Sequence, residues 1–365
     1  MLKLIHTADL HFGSKMQSHL DEAQARKRRA ELFETFERMV EYARKNQVRA
    51  ILLCGDVFEY DKPSSIDVER FIDTVRDAED VDFLYISGNH DSDALFKYGE
   101  MPQNLTLMRE WTVKKYADTA IVGASYPLVL SEMPALCESD TNIVMLHGEL
   151  TDKNEGADYS IPHSSLKNKN IDYLALGHIH KYSQGRLDER GIYCFSGTPE
   201  GRGFDEPGAD GNSGCGFILI TVDGGVSSEF VPFAKRNVRC YEYDVSEHKN
   251  DFEAVRSAIK TVDADVGDMV RLIFTGEASF DTSMLCERAR DQLTRYFAVS
   301  VKNETRMKID LSDYKNDPTL LGEFVRTVTD PEILASVMPG GEILEGEALD
   351  RVLSLGIGIL SGEDK

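Results

Sequence analysis

The 365-residue sequence contains no apolar run approaching the roughly 18 residues that a membrane-spanning helix requires, so it has no candidate membrane segment. Closely spaced cysteines are missing as well. Cys54, Cys137, Cys194, Cys215, Cys240 and Cys286 lie far apart in the sequence, which excludes a zinc ribbon or a redox dithiol and reads them as reduced thiols, several of them in the core. Basic charge is scarce. Against 63 acidic residues stand 41 lysines and arginines, a net charge of -22, and a chain so acidic does not grip nucleic-acid phosphates over a wide surface of its own. There is no internal repeat and no low-complexity linker to mark a domain limit. Residues 1–6 enter a strand pattern at once, without the charged and apolar stretches of a secretory leader. The expectation is a soluble, cytoplasmic protein that does not engage a membrane.

The length and an apolar content of 41% suit one large domain with a smaller appendage. Short apolar runs at 2–5, 50–54, 83–86, 143–146 and 173–176 read as buried parallel strands, each followed by a polar loop. Between the first two, residues 22–46 place Leu32, Phe33, Phe36, Met39, Val40 and Ala43 on one helical face, and Ile66, Phe71, Ile72 and Val75 repeat the pattern after the second. Strand-rich sequence follows at 192–195, 217–222 and 228–231, the last two joined by Asp223-Gly224-Gly225. The mixture predicts two sheets packed face to face with helices outside. From about 237 the texture becomes strand (239–245), helix (251–262), strand (269–274), helix (283–296), a small α+β unit. Beyond 317, Leu320, Leu321, Phe324, Val325 and Val328 form one amphipathic stripe and residues 344–360 another. Three regions are therefore expected, 1–234, 235–311 and a helical 312–365, with soft boundaries. Residues 310–365 hold 12 acidic and 4 basic residues, read as a solubilising surface.

The polar loops carry the chemistry. Asp9-Leu10-His11 follows the first strand and offers a carboxylate and an imidazole to one cation, although such a pair alone is as well explained by a loop aspartate and a surface histidine. Gly55-Asp56 follows the second, where the glycine permits a sharp turn that aims the carboxylate over the strand end. A bridging carboxylate is what two dications some ~3.5–4 Å apart demand. Gly88-Asn89-His90-Asp91 is more specific: Asn89 offers a neutral oxygen ligand, His90 can face a scissile phosphate as general acid, and Asp91 can hold that imidazole in its proton-donating form. His147-Gly148 and Gly177-His178-Ile179-His180 follow the fourth and fifth strands, the latter with histidines at i and i+2 that project to one side. Five of the nine histidines thus fall at carboxyl ends of expected strands, where open α/β folds build their sites. His6, His19, His163 and His248 are read as non-ligands, His6 beside the core.

This ordered set resembles the calcineurin-like metallophosphoesterase superfamily, and the sequence around it is similar to the SbcD-like DNA repair exonucleases. The likeness is carried by Leu4-Ile5-His6-Thr7-Ala8-Asp9-Leu10-His11-Phe12-Gly13, by Gly55-Asp56-Val57-Phe58, by residues 172–181 and by Phe195-Ser196-Gly197-Thr198-Pro199-Glu200. It covers residues 1–220 well, the α+β unit loosely, and nothing after 312. The resemblance implies a four-layer, two-sheet sandwich flanked by helices, with a smaller α+β capping domain and a helical C-terminal tail. It implies two divalent metal ions, manganese foremost, with Asp9, His11 and His180 on one, Asn89, His147 and His178 on the other, and Asp56 between them. The reaction implied is attack by a metal-bound hydroxide on a DNA phosphodiester, with His90 protonating the leaving oxygen. The implied partners are DNA, a coiled-coil SMC-like ATPase on which a C-terminal stripe could dock, and a second copy of the chain. Where some members carry His or Asp after Gly-Asp-x-Phe, this chain has Glu59, which bears on the kind of DNA accepted. Because the motifs are shared across the superfamily, a small-nucleotide phosphodiesterase or phosphoprotein phosphatase is the alternative, and a non-catalytic scaffold subunit the second.

Overall fold

A computed structural model describes residues 1–16, 20–59, 63–91, 94–152, 159–206, 214–308, 311–314, 316–337 and 346–361. The chain divides into two compact units, Met1–Cys240 with Ala264–Arg271 and Tyr296–Ser300, and Tyr241–Asp263 with Leu272–Arg295 and Val301–Lys365.

In the first unit the order is β1 (Leu2–Thr7), α1 (Glu22–Lys45), β2 (Ala50–Cys54), α2 (Ser65–Arg76), β3 (Asp82–Ile86), the short α3 (Ala94–Lys97), β4 (Leu105–Leu107), β5 (Thr112–Tyr116) and β6 (Thr119–Gly123). There follow β7 (Thr141–His147), β8 (Glu149–Thr151), β9 (Ser160–Pro162), β10 (Tyr173–Gly177), β11 (Ser183–Arg186), β12 (Ile192–Phe195), β13 (Gly216–Val222) and β14 (Val226–Pro232). One six-stranded sheet runs β14-β13-β1-β2-β3-β4, and a second runs β11-β12-β10-β7-β6-β5. Strands β1 to β4 are mutually parallel, as are β6, β7, β10 and β12, while β13 and β11 join antiparallel.

Two-residue alternation decides which face each side chain serves. Leu4, Leu52, Leu84 and Ile86 of the first sheet meet Ile121, Ile143, Met145, Tyr173 and Ala175 of the second in the central layer. Ile5, Ile51, Leu53, Phe83 and Tyr85 point the other way, into Leu32, Phe36, Met39 and Val40 of α1 and Phe71, Ile72 and Val75 of α2. Each such fully buried side chain contributes roughly 1.5–3 kcal/mol through the area it removes from water. Helix α1 begins at a reciprocal capping box, Asp21 accepting from Gln24 N–H and Gln24 accepting from Asp21 N–H.

The expected two-sheet sandwich is present, and its helical cover lies over the first sheet. The outer face of the second sheet, including Val144, Leu146, Leu174 and Leu176, is covered instead by Trp111, Leu128, Met133, Leu136, Leu166 and Leu187 from connecting segments. His6 is fully buried and joins the two sheets, with Nδ1 2.9 Å from Tyr173 Oη and Nε2 3.2 Å from Leu176 O. A carbonyl only accepts, so Nε2 carries the proton and Nδ1 accepts from the phenol.

Strands β15 (Val238–Asp244), β16 (Met269–Thr275) and β18 (Ala298–Asn303) form a three-stranded sheet, and the division between the units runs through them. The second unit also holds α4 (Asp251–Thr261), the small parallel pair β17 (Glu277–Ala278) and β19 (Arg306–Met307), and α5 (Leu285–Leu293). Helices α6 (Leu311–Tyr314), α7 (Leu320–Thr329), α8 (Pro331–Val337) and α9 (Glu347–Ser361) follow. Of the two apolar stripes, Val325, Leu353 and Ile357 are buried together with Leu321, Phe324 and Val328 packed around them, whereas Leu320, Leu355 and Ile359 stay exposed. Leu344 lies outside the described residues. No helix among the described residues is long and apolar enough to cross a membrane.

Candidate metal centre

The parallel strands deliver the polar loops to one edge of both sheets. Thr7 pairs with Leu53 and Cys54 with Ile86, so β1, β2 and β3 stop at the same level, and His147 pairs with Gly177 where β7 and β10 stop. Asp9 and His11 therefore leave the end of β1, Asp56 that of β2, Asn89 that of β3, and His178 and His180 that of β10. Short backbone bonds lace the first two loops together, Asp9 N–H to Gly55 O and His11 N–H to Asp56 O, each 3.0 Å.

The turns are tight enough that Asp9, His11, Asp56 and His178 all adopt positive φ, at 56°, 50°, 51° and 97°. For residues with a Cβ this costs on the order of 1 kcal/mol each, held in place by the surrounding bonds. Gly55, at φ 88°, could not be anything else: a Cβ there would stand 2.3 Å from His147 Nδ1.

Among the described residues three groups could hold a cation, and one of them, His11, Glu59 and His90, shares His11 with the group around Asp9. Asp9, His11 and His180 bring their ligand atoms within 4.8 Å of one another, and so do Asp56, His147 and His178. In the first, the Nε2 atoms of His11 and His180 are 3.1 Å apart and Asp9 Oδ1 is 3.8 Å from His180 Nε2. In the second, Asn89 Oδ1 lies 2.9 Å from His147 Nε2 and 3.1 Å from His178 Nδ1, and Asp56 Oδ2 lies 3.3 Å from His147 Nε2. The Asp9 carboxylate, in turn, accepts the His178 N–H at 3.1 Å and so ties the clusters to each other.

Each outer nitrogen has an acceptor close by. His147 Nδ1 donates to Cys54 O at 2.9 Å, a backbone carbonyl at the end of β2. His11 Nδ1 is 2.8 Å from Glu59 Oε2 and His180 Nδ1 2.7 Å from Glu206 Oε1. An acceptor behind Nδ1 favours the tautomer with its lone pair on Nε2, the nitrogen aimed inward, so in its neutral form each ring could offer Nε2 to a cation; a donor, Arg202 Nη2, also lies 3.1 Å from His180 Nδ1. With imidazole nitrogen, carboxylate and amide oxygen but no thiolate, the donor set fits divalent ions of the manganese to zinc series.

Charge in the site is internally balanced. Burial raises the Asp56 carboxyl, but its hydrogen bond to His147 and the charges of His147 and His11 outweigh this and hold it well below the usual range. Burial opposes the His147 imidazolium, yet Asp56 and Asp9 raise that ring to about 9. For His11 and His178 burial wins and both are lowered. His180 is raised because Glu206 and Asp9 overcome its desolvation.

His90 stands at the open side, its side chain 45% exposed and its ring centroid 5.2 Å from that of His11. Asp91 does not hold its imidazole, and the expectation that it would is corrected. The Asp91 carboxylate turns inward, Oδ1 accepting Phe58 N–H at 2.7 Å and Oδ2 accepting Gly88 N–H at 3.0 Å, so that it fastens the β2 loop to the β3 loop. Burial and the Asp56 charge raise it to about 6. Facing His90 instead is Glu59, with Oε1 3.9 Å from Nδ1. Of the remaining histidines, His163 Nε2 meets Leu187 O and His248 Nε2 meets Tyr243 Oη, and His19 lies outside the described residues.

Sequence reasoning missed Arg202 and Glu206, and it noted Glu59 only as a departure. Arg202 sits between the two carboxylates, with Nη1 2.7 Å from Glu59 Oε2 and Nη2 2.9 Å from Glu206 Oε1. The base of their loop is fixed by the buried Glu200, which accepts from Arg28 Nη1 at 2.7 Å, Thr35 Oγ1 at 2.7 Å and Lys235 N at 2.6 Å. Arg28 and Arg236 also share Glu31, giving a buried set of two cations and two anions. The sole advance signal was the run ending at Glu200, just before these residues.

Residues 2–182 match the family model described as calcineurin-like phosphoesterase. The chain is 29% identical over 251 residues to the uncharacterized metallophosphoesterase YhaO of Bacillus subtilis, covering 63% of this chain and 60% of that protein. It is 25% identical over 224 residues to the DNA double-strand break repair protein Mre11 of Saccharolobus solfataricus, 55% of each chain. To the Mre11 of Methanosarcina acetivorans it is 24% identical over 332 residues, 86% of this chain and 52% of that one. The chain thus spans 52–60% of the length of these relatives.

Proposed function

Residues 2–182 are a calcineurin-like phosphoesterase domain, and from that premise we propose that the chain is a nuclease that hydrolyses DNA phosphodiester bonds with two divalent cations, manganese foremost. The observation that carries the reading is the pair of ligand clusters meeting at the strand ends, with an exposed histidine beside them. Asp9, His11 and His180 would hold one ion, Asn89, His147 and His178 the other, and Asp56 would lie between. When bound, such a pair supplies Lewis acidity toward phosphoryl oxygens and an acidified water.

The chain's own residues do the rest. Asp56 accepts the backbone N–H of His90 at 2.8 Å, so the loop that carries the proton donor is anchored to the carboxylate at the middle of the centre. His90 hands its proton to the leaving oxygen, and its exposure lets a substrate reach it. DNA as substrate is supported by relatives named as DNA double-strand break repair proteins.

The net charge of -22 favours a second reading, a small-nucleotide phosphodiesterase or phosphoprotein phosphatase, because a small substrate needs no basic track. Under the nuclease reading a coiled-coil ATPase partner and a second copy of the chain help to hold the DNA, and residues 235–311 are the capping domain. The exposed Leu320, Leu355 and Ile359 support a helix-in-groove contact with that ATPase.

The test uses metal-stripped protein with end-labelled duplex DNA, single-stranded DNA or a cyclic nucleotide, adding manganese, magnesium or zinc separately. Manganese-dependent DNA cleavage is expected, lost in His90→Ala while both ions still bind. Turnover of the cyclic nucleotide with no DNA cleavage under any metal would establish the second reading instead.

A further inference from the structure

The two ligand clusters are supported in different ways. His147 is oriented by a backbone carbonyl of β2, and Asn89 and Asp56 sit on loops stitched by the buried Asp91. His11 and His180 are oriented by side chains alone. Their Nδ1 atoms meet Glu59 and Glu206, and Arg202 spans these two carboxylates, with Nε also 3.1 Å from Glu206 Oε1. A further bond from the backbone N–H of Arg202 to Glu206 Oε2 at 2.7 Å holds the other oxygen of that carboxylate. All three guanidinium nitrogens face these partners, and Nη2 also lies 3.1 Å from His180 Nδ1, so Arg202 packs against the imidazole as well as against the two carboxylates.

We propose that Glu59, Arg202 and Glu206 form a bracket of positioning residues that sets the tautomer and aim of His11 and His180, so that the ion at Asp9, His11 and His180 depends on the bracket while the ion at Asp56, Asn89, His147 and His178 does not. The inference rests on the two-metal reading above. Without the Glu206 acceptor, His180 is free to carry its proton on Nε2 or to turn away, and one ligand of that ion is lost. Carboxylates behind metal-bound histidines are generally worth about 10–100-fold in metal affinity.

The full chain, stripped of metal and titrated with Mn2+ under electron paramagnetic resonance, separates the possibilities. The wild type is expected to bind two ions and show an exchange-coupled signal. Glu206→Ala should weaken one ion by about 10–100-fold, leaving a mononuclear signal and the other affinity unchanged. Glu206→Gln, which keeps an acceptor for Nδ1–H, should recover much of the loss, and Glu59→Gln reports on the opposite end of the bracket if Glu206→Ala does not fold. Two unchanged affinities in the variants, or loss of both ions together with unaltered circular dichroism, would overturn the bracket. A wild type that binds fewer than two ions would instead remove the two-metal reading on which it stands.

Discussion

His6 gives the molecule a pH-dependent stability that can be worked out in advance. Its ring is fully buried between the sheets, and desolvation, only partly offset by the bond to Leu176 O, lowers it from 6.5 to about 3. The folded ring is thus neutral at all ordinary pH values, with Nε2 donating to Leu176 O and Nδ1 left to accept from Tyr173. The unfolded chain binds a proton near 6.5. Stability contributed by the neutral ring is therefore complete above that value and declines as pH falls toward 3, because the unfolded state takes up the proton first. Integrating one such group between about pH 7 and about pH 5 gives a loss of about 2 kcal/mol. The assay is urea unfolding of wild type and His6→Gln at both pH values, the difference between them cancelling every other titrating group. His6→Gln should be the less stable protein at neutral pH, and its deficit should shrink by about 2 kcal/mol at pH 5. Parallel pH slopes for the two proteins would refute the burial argument.

Asp91→Ala strips the acceptor from the Phe58 and Gly88 N–H groups, and two unmet buried donors should cost about 2–4 kcal/mol in denaturant unfolding. His90→Ala, at an exposed position, should leave that stability unchanged. A stable Asp91→Ala with merely reduced activity would restore Asp91 to a role beside His90. Glu200→Ala leaves Arg28 buried with only part of its charge balanced, and a loss of about 3–5 kcal/mol is expected by thermal or urea melting; a loss under 1 kcal/mol, roughly, would show that the cluster can rearrange.

The two sheets were legible because their central strands are short, wholly apolar and bounded by polar loops, and α1 because its apolar residues keep one face for 24 residues. In the two large sheets β4, β5, β6 and β11 escaped notice: β4, β5 and β11 lie on edges and offer no long apolar run, and β6, though buried, shows only Ala120, Ile121 and Val122 between Thr119 and Gly123. In the site, ligands at strand ends could be read because each follows directly on a strand. The Asp91 assignment failed for a local reason. Adjacent residues in a turn point in different directions, and adjacency to His90 says nothing about which way a carboxylate faces. Glu206 and Arg202 could not be read at all, since the loop that carries them is placed by bonds from α1 that no spacing encodes.

The buried quartet of Arg28, Glu31, Glu200 and Arg236 also constrains how the sequence can drift. Its charges cancel only as a set, so a lineage that loses one member passes through a form with an orphaned ion in the interior. Viable descendants should either keep all four or exchange them in compensating pairs. Positions 28, 31, 200 and 236 are then expected to change together across related chains, although more than 160 residues separate the first pair from the second.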